Sequence, residues 1–336
     1  MNGCSWWPLG VALLIGLLGL GSLTDVDTPP DFAPVPPPPV SVVNFEQIAA
    51  DYPRVDGSTS TLPLAKFVAC RVYGVPCIWG EFFGEPRWVS TDYTVEIDQA
   101  IADKINNLSH TTTHDAYVNL IENHADLILV ARLPSQEELE LAEANGVEMD
   151  LRPVALDALV FVVNSANPIE NLTLDQIRAV YTGQITDWSE LDASSTVGVI
   201  NAYRRDAQSG SQELIEALVM QDQTMIDLPD MMIPTMGGLI SMINEDPQGL
   251  GYSVYYYATF IYPAEATALV PIEGVAPSSA NIAARDYPLI AEVYVGVRAD
   301  MPTDSTAVMM RDWLLTPDGQ ATVIESGYVE VLPVNP

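Results

Sequence analysis

Lysine is nearly absent from this chain. Lys66 and Lys104 are the only two, and with eleven arginines they make 13 basic residues against 45 acidic ones, a formal net charge of −32. That balance excludes a nucleic-acid partner, because binding one needs basic side chains to neutralise phosphates. It suits a well-solvated surface and says nothing about fold. Histidine is scarce too: His110, His114 and His124 are all there is, within one short region. No H-E-x-x-H motif accompanies them, and no G-x-S-x-G elbow exists, Ser209-Gly210-Ser211-Gln212 being the nearest approach and lacking the flanking glycines. The expectation is therefore no catalytic residue, no metal and no cofactor. His114 is left open between ligand contact and a packing or capping role, and His124, near a helix end, suits capping of carbonyls. Among so many acids no spacing picks out a catalytic carboxylate pair.

Cysteine is sparse. Cys70 and Cys77 are the only two beyond the N-terminal region, too few for a zinc site. In an oxidising compartment they form a small disulfide across the turn holding Gly74 and Pro76; otherwise they are a pair of buried thiols.

With 336 residues, 48% of them hydrophobic, the chain has enough material for two lobes of ordinary size. From Pro8 to Leu23 runs an uncharged apolar stretch, shorter than the roughly 20 residues that span a bilayer comfortably, which fits a signal-peptide core. No Lys or Arg precedes it and no clean small-x-small cleavage site follows, so residues 1–24 read either as a cleaved signal or as a retained anchor. Cys4 lies ahead of the run and so is not the lipidated cysteine of a cleaved lipoprotein signal. Residues 25–44, with Pro29, Pro30, Pro34 and the run Pro36 to Pro39, favour extended polyproline conformation and read as a stiff tether. Export to the periplasm or cell surface is the expectation.

From Tyr52 onward short apolar runs alternate with amphipathic segments, which predicts an α/β architecture. Leu127 to Val130 reads as a buried strand, and Val147 to Val154 and Leu159 to Asn164 as two strands in close succession. Ser135 with Glu138, and Thr173 with Gln176, make capping boxes for helices that stop at Asn145-Gly146 and near Gly183. Further helices are expected near Ala307 to Leu315 and Gly319 to Ser326.

Three places share one design, a hydroxyl-rich turn that follows an extended segment and opens a helix. They are Asp56-Gly57-Ser58-Thr59-Ser60-Thr61-Leu62 before Pro63, Ser109 to His114, and Arg204-Arg205-Asp206-Ala207-Gln208-Ser209-Gly210-Ser211-Gln212. A helix start offers unpaired N–H groups and the positive end of a dipole, hence a place for an anion. Ser and Thr add donors, and Arg205 adds a planar fork suited to two oxygens of an oxyanion. Each turn alone reads equally as ordinary helix capping. The aromatic cluster Tyr252, Tyr255, Tyr256 and Tyr257 is open to a sugar platform, but beside Gly249 and Gly251 it reads more simply as packing between lobes, and Trp188 as a core residue.

In order and spacing, residues Tyr52 to Tyr328 resemble the phosphate-binding proteins of phosphate ABC transporters. The matching segments are Asp56 to Thr61, Thr113-His114-Asp115-Ala116-Tyr117, Ala125-Asp126-Leu127-Ile128, Asn171-Leu172-Thr173, Tyr181 to Trp188, Arg205 with Ser209-Gly210-Ser211, Met236-Gly237-Gly238 and Gly249 to Ser253. The resemblance implies a two-lobed periplasmic-binding-protein-like fold of type II, with the ligand cleft between lobes joined by a two-strand hinge. Lobe 1 is expected over 45–155 and 292–336, lobe 2 over 156–291. It also implies capture of inorganic phosphate or a related tetrahedral oxyanion by a monomer and delivery to the membrane permease of an ABC transporter. Carried onto this chain, the ligand residues are Ser60, Thr61 and the Leu62 N–H, then Thr112 and Thr113, then Arg205, Ser209, Gly210 and Ser211. Where the family often carries a proton-accepting acid, this chain has Arg132. It either contacts the ligand, giving two guanidinium groups and weaker discrimination against sulfate, or pairs with a surface carboxylate such as Glu137 or Glu138. Two other functions stand beside this reading: a surface-anchored phosphate sensor or scavenger, and a phosphatase-like hydrolase using Ser209 or Ser211. The net charge is no obstacle to an anion, since a Debye length of about 8 Å at physiological ionic strength screens distant carboxylates.

Overall fold

The computed structural model describes residues 43–81, 86–108 and 110–331. The apolar N-terminal stretch, Cys4, nearly all of the proline segment and Ser109 lie outside the described residues. No helix among the described residues is long and apolar enough to cross a membrane.

The first described element is α1 (Phe45–Ala50), whose cap Asn44 accepts the Gln47 N–H. Then come β1 (Val55–Gly57) and α2 (Leu62–Tyr73), which has Pro63 in its first turn and Gly74 at φ 65° past its end. The hairpin of β2 (Cys77–Gly80) and β3 (Trp88–Thr91) is joined to α2 by a Cys70–Cys77 disulfide. Two helices, α3 (Gln99–Asn106) and α4 (Thr113–Ile121), lead to β4 (Leu127–Val130), buried throughout. The Ser135/Glu138 capping box opens α5 (Gln136–Asn145), and Gly146 at φ 65° closes it.

Next is β5 (Met149–Asn164), one strand of 16 residues where the sequence pattern predicts two. Asp157, in the middle, breaks the apolar pattern. The chain stays extended because Asp157 Oδ1 accepts the N–H groups of Ala158 (2.8 Å) and Tyr256 (3.0 Å), and burial pushes its carboxyl up to about 7. A register shift between Pro153 and Ala155 marks the place where proline can donate nothing to the ladder. The remaining elements are α6 (Leu174–Tyr181) with its Thr173/Gln176 box, β6 (Asn201–Ala202), α7 (Gly210–Ile215) continuing as a wider turn to Met220, α8 (Met236–Glu245), β7 (Gly249–Val254), β8 (Thr267–Val270), α9 (Ser279–Ala283), β9 (Ile290–Arg298), α10 (Thr306–Leu314), α11 (Pro317–Glu325) and β10 (Val329–Glu330).

Strand order in the main sheet is β1-β4-β9-β5-β7-β6, with β8 and β10 also paired to β5. The long strand changes partners along its length. From Met149 to Ala158 it pairs with β9, and from Leu159 to Asn164 with β7 and β8. The chain thus crosses between two lobes twice, at Ala158–Leu159 and at Leu289–Ile290, where the Leu159 N–H bonds the Leu289 carbonyl at 2.9 Å. These adjacent crossings are the two-strand hinge. The core follows the sheet, and Trp188 is fully buried in it with its indole N–H on the Gln248 carbonyl (3.0 Å).

Candidate functional site

The first turn is shaped by a close approach. A Cβ on Gly57 would lie 2.3 Å from the Leu129 carbonyl oxygen, so β1 reaches β4 only because residue 57 has no side chain. The Ser58 N–H donates to that carbonyl (3.0 Å), and the Thr61 hydroxyl lies 2.7 Å from it and 2.9 Å from the Ser58 carbonyl. Ser58 Oγ accepts the Ala131 N–H at 3.1 Å and sits 2.7 Å from Thr113 Oγ1. Tyr328 holds the Ser60 carbonyl at 3.0 Å. Buried Asp56 ties this turn to the next: its Oδ1 accepts the Gly57 N–H, and its Oδ2 accepts Thr111 Oγ1 (2.9 Å) and Asn119 Nδ2 (2.7 Å). At the second turn Thr112 caps α4 by accepting the Asp115 N–H.

On the second lobe the Arg205 N–H donates to the Tyr252 hydroxyl (2.9 Å), which itself donates to Gln212 of α7. Ser209 caps α7 by accepting the Gln212 N–H. The Arg205 guanidinium donates Nε to the Ile233 carbonyl (3.0 Å) and Nη2 to the Pro234 carbonyl (3.1 Å), with the Asp206 carboxylate 3.7 Å away. Its Nη1 has no hydrogen-bond partner although the residue is only 8% exposed. Burial lowers the Arg205 pKa and Asp206 opposes that shift; an arginine still carries its charge under such conditions. A buried, charged donor without an acceptor is costly in isolation, and an anion removes that cost.

These groups share one cleft cavity of about 720 Å³. Ser60, Thr112, Thr113, Arg205, Ser209, Gly210 and Ser211 line it, so the three turns converge from two lobes. Thr61 and Leu62 do not. The chain turns through Thr59–Thr61 so that Ser58, Thr59 and Ser60 face the cavity, while the Thr61 hydroxyl is spent on backbone carbonyls. Arg132 is also off the wall. Its Nη1 and Nη2 donate to the two oxygens of Glu138 (2.7 and 2.8 Å), and its Nε pairs with Glu213. A cavity with two guanidinium groups is therefore not formed, and Glu138 is a fully buried partner rather than a surface one. His114 Nδ1 lies 3.0 Å from Glu138 Oε1, in the same cluster.

Sequence reasoning missed Ser58 as a wall residue, along with Thr235, Gly237, Ser241, Tyr257 and Tyr262. Ser58 was hidden among four consecutive hydroxyl residues with nothing to rank them. Tyr257 was read as packing, yet it faces the cavity.

Comparison with known proteins shows which proteins the chain is similar to. The phosphate-binding protein PstS of Pseudomonas aeruginosa is 26% identical over 229 residues, covering 62% of this chain and 69% of its own length. Among solved structures, a putative phosphate ABC transporter substrate-binding protein from Clostridium perfringens has a TM-score of 0.60 at 19% identity, covering 83% of this chain and 98% of its own. An ABC-type phosphate transport receptor from Vibrio cholerae has a TM-score of 0.57 at 19% identity, with 82% and 98% coverage. Both share the fold. The family model described as the PBP superfamily domain matches residues 90–314, more than half of the sequence, and the chain belongs to that superfamily.

Proposed function

We propose that this protein is an extracytoplasmic solute-binding protein that captures phosphate in the cleft and delivers it to the permease of an ABC transporter. One observation carries the reading: the unpartnered, buried Nη1 of Arg205 shares a cavity with the hydroxyls of Ser58, Ser60, Thr113, Ser209 and Ser211, contributed by two lobes. Charge-assisted bonds contribute about 1.5–3 kcal/mol each, enough for several to hold a dehydrated anion. The names of the relatives agree with it. Asp115 and Asp206 are also among the residues that line the cavity. A carboxylate accepts a hydrogen bond from a protonated phosphate and repels sulfate, so phosphate is the preferred anion.

The protein works by lobe closure as a monomer, without covalent chemistry. Ser209 is engaged as a helix cap, and His114 lies against Glu138. The lobes in this reading are 45–155 with 292–336, and 156–291, in keeping with the partner change of β5 at Ala158.

Calorimetric titration with phosphate and with sulfate tests the proposal. Phosphate is expected to bind more tightly than sulfate, and Arg205→Ala to weaken it by roughly ten- to a hundredfold, the loss of one charged bond at 1.4 kcal/mol per decade. An unaltered dissociation constant in Arg205→Ala would place the site elsewhere.

A further inference from the structure

Tyr252 is buried in β7 and is not among the residues that line the cavity. Its ring centre lies 5.7 Å from that of Tyr181 and 6.4 Å from that of Phe161, edge to face with each. Tyr181 belongs to α6, and Phe161 is the Cα partner of Tyr252 across β5. A ring held by a helix and a strand at once cannot swing, so its hydroxyl has a fixed place. That hydroxyl bonds two parts of one loop: it accepts the Arg205 N–H (2.9 Å) and donates to Gln212 Oε1. The roles cannot be exchanged. An N–H only donates, and Gln212 Nε2 is committed to Glu216 Oε1 (2.7 Å), which leaves Oε1 to accept. Burial pushes the Tyr252 pKa up, so the hydroxyl keeps the proton it donates.

Arg205, Ser209, Gly210 and Ser211, which line the cavity, all fall between these two partners, within residues 205–212. The Arg205 guanidinium is held again further out, on the Ile233 and Pro234 carbonyls. That segment is itself tied to the loop, because the Ile233 N–H donates to the Arg204 carbonyl (2.8 Å). The place of the unpartnered Nη1 is therefore set by a chain of bonds that begins at the main chain of residue 205. Arg205 and Gln212 are both buried, so bulk water does not replace a bond lost from either. Hydrogen bonds weaken steeply as they bend, and donors already in place need no ordering when a ligand arrives.

Building on the phosphate reading, we infer that Tyr252 is a positioning residue for the anion, its single hydroxyl fixing Arg205 against α7 so that the guanidinium and the Ser209–Ser211 donors meet one ligand together.

Calorimetric titration of the full chain with inorganic phosphate tests this on Tyr252→Phe, which keeps the ring and removes only the hydroxyl. A loss of affinity of about tenfold is expected. Tyr256→Phe is the matched comparison. It also removes a buried tyrosine hydroxyl, one that donates to the Ser326 carbonyl (2.6 Å), and neither Tyr256 nor Ser326 lines the cavity. Its phosphate affinity should stay within about twofold of the parent, a change too small to register as a lost hydrogen bond. The loss in Tyr252→Phe should also shrink in an Arg205→Ala background, where the guanidinium it positions is gone. Urea unfolding verifies that each variant is folded under the assay conditions. Should Tyr252→Phe not fold, Gln212→Met, which removes the acceptor on α7, takes its place with the same expectations. Parent-like affinity in Tyr252→Phe, an equal loss in Tyr256→Phe, or an undiminished loss without Arg205 overturns this inference and leaves the phosphate reading standing. A parent protein that binds no phosphate overturns both.

Discussion

Arg132 and Glu213 meet across the cleft, the first from the loop after β4 and the second from α7. Arg132 is also bidentate to Glu138, so one cation serves two buried or half-buried carboxylates, and its guanidinium carbon lies 5.5 Å from the centre of the Tyr117 ring. Glu213 shares α7 with Gly210 and Ser211, so the contact that joins the lobes also sets the helix bearing those residues.

Arg132→Met would leave Glu138 and Glu213 without their shared cation. Removing one partner of a buried ion pair costs about 3–5 kcal/mol. Urea unfolding at neutral pH is expected to show a loss of that order, with phosphate affinity lowered alongside it. A variant as stable as the parent would mean the cluster is better solvated than its burial indicates.

Glu213 itself titrates. Burial pushes its carboxyl up to about 7; Arg132 and His114 pull it down, Glu138 and Glu216 push it further up. A raised native pKa means that the folded protein binds more protons than the unfolded chain between about pH 4.5 and 7. The contribution is therefore fully present below about 4.5 and is lost as the pH rises through 7. Glu213→Gln mimics the protonated group. Its stability relative to the parent should rise from pH 5 to pH 8, measured by denaturant unfolding at both. A gap that stays constant would show that Glu213 has an ordinary pKa.

Gly57→Ala forces a Cβ to 2.3 Å from a backbone oxygen that has no room to retreat between paired strands. Overpacking of this kind costs about 1–3 kcal/mol. Lower stability and weaker anion binding are expected together, because Ser58 and Ser60 move with the strand end. Unchanged values for both would mean that β1 and β4 can part freely.

The Cys70–Cys77 bond closes a short loop, with a sequence separation of 7. Chain-entropy reasoning gives about 2 kcal/mol for a loop of this size. The double Cys70→Ser, Cys77→Ser variant should lose roughly that much in urea and keep its phosphate affinity, since neither cysteine lines the cavity.

Local chemistry was legible without coordinates. The caps at Ser135 and Thr173 and the stop at Gly146 appear where the residues indicate, because capping is decided within four residues. So is the helix-opening character of the turns around Ser60, Thr112 and Ser209. The α/β organisation also follows from the spacing of apolar runs. Long-range pairing was not legible. Asp157 falls in the gap between the two strands that the apolar pattern predicts, yet the Tyr256 N–H, 99 residues away in sequence, makes a buried carboxylate acceptable there. Arg132 looked equally suited to an anion or a carboxylate, and only the position of α7 places Glu213 against it. Which hydroxyls among Ser58, Thr59, Ser60 and Thr61 face the cavity depends on the Leu129 carbonyl, which belongs to a neighbouring strand. Sequence by itself determined where helices begin and which residues can donate to an anion; tertiary structure decided which donors are left unpaired, because a hydrogen bond is spent or spare only once distant partners are in place.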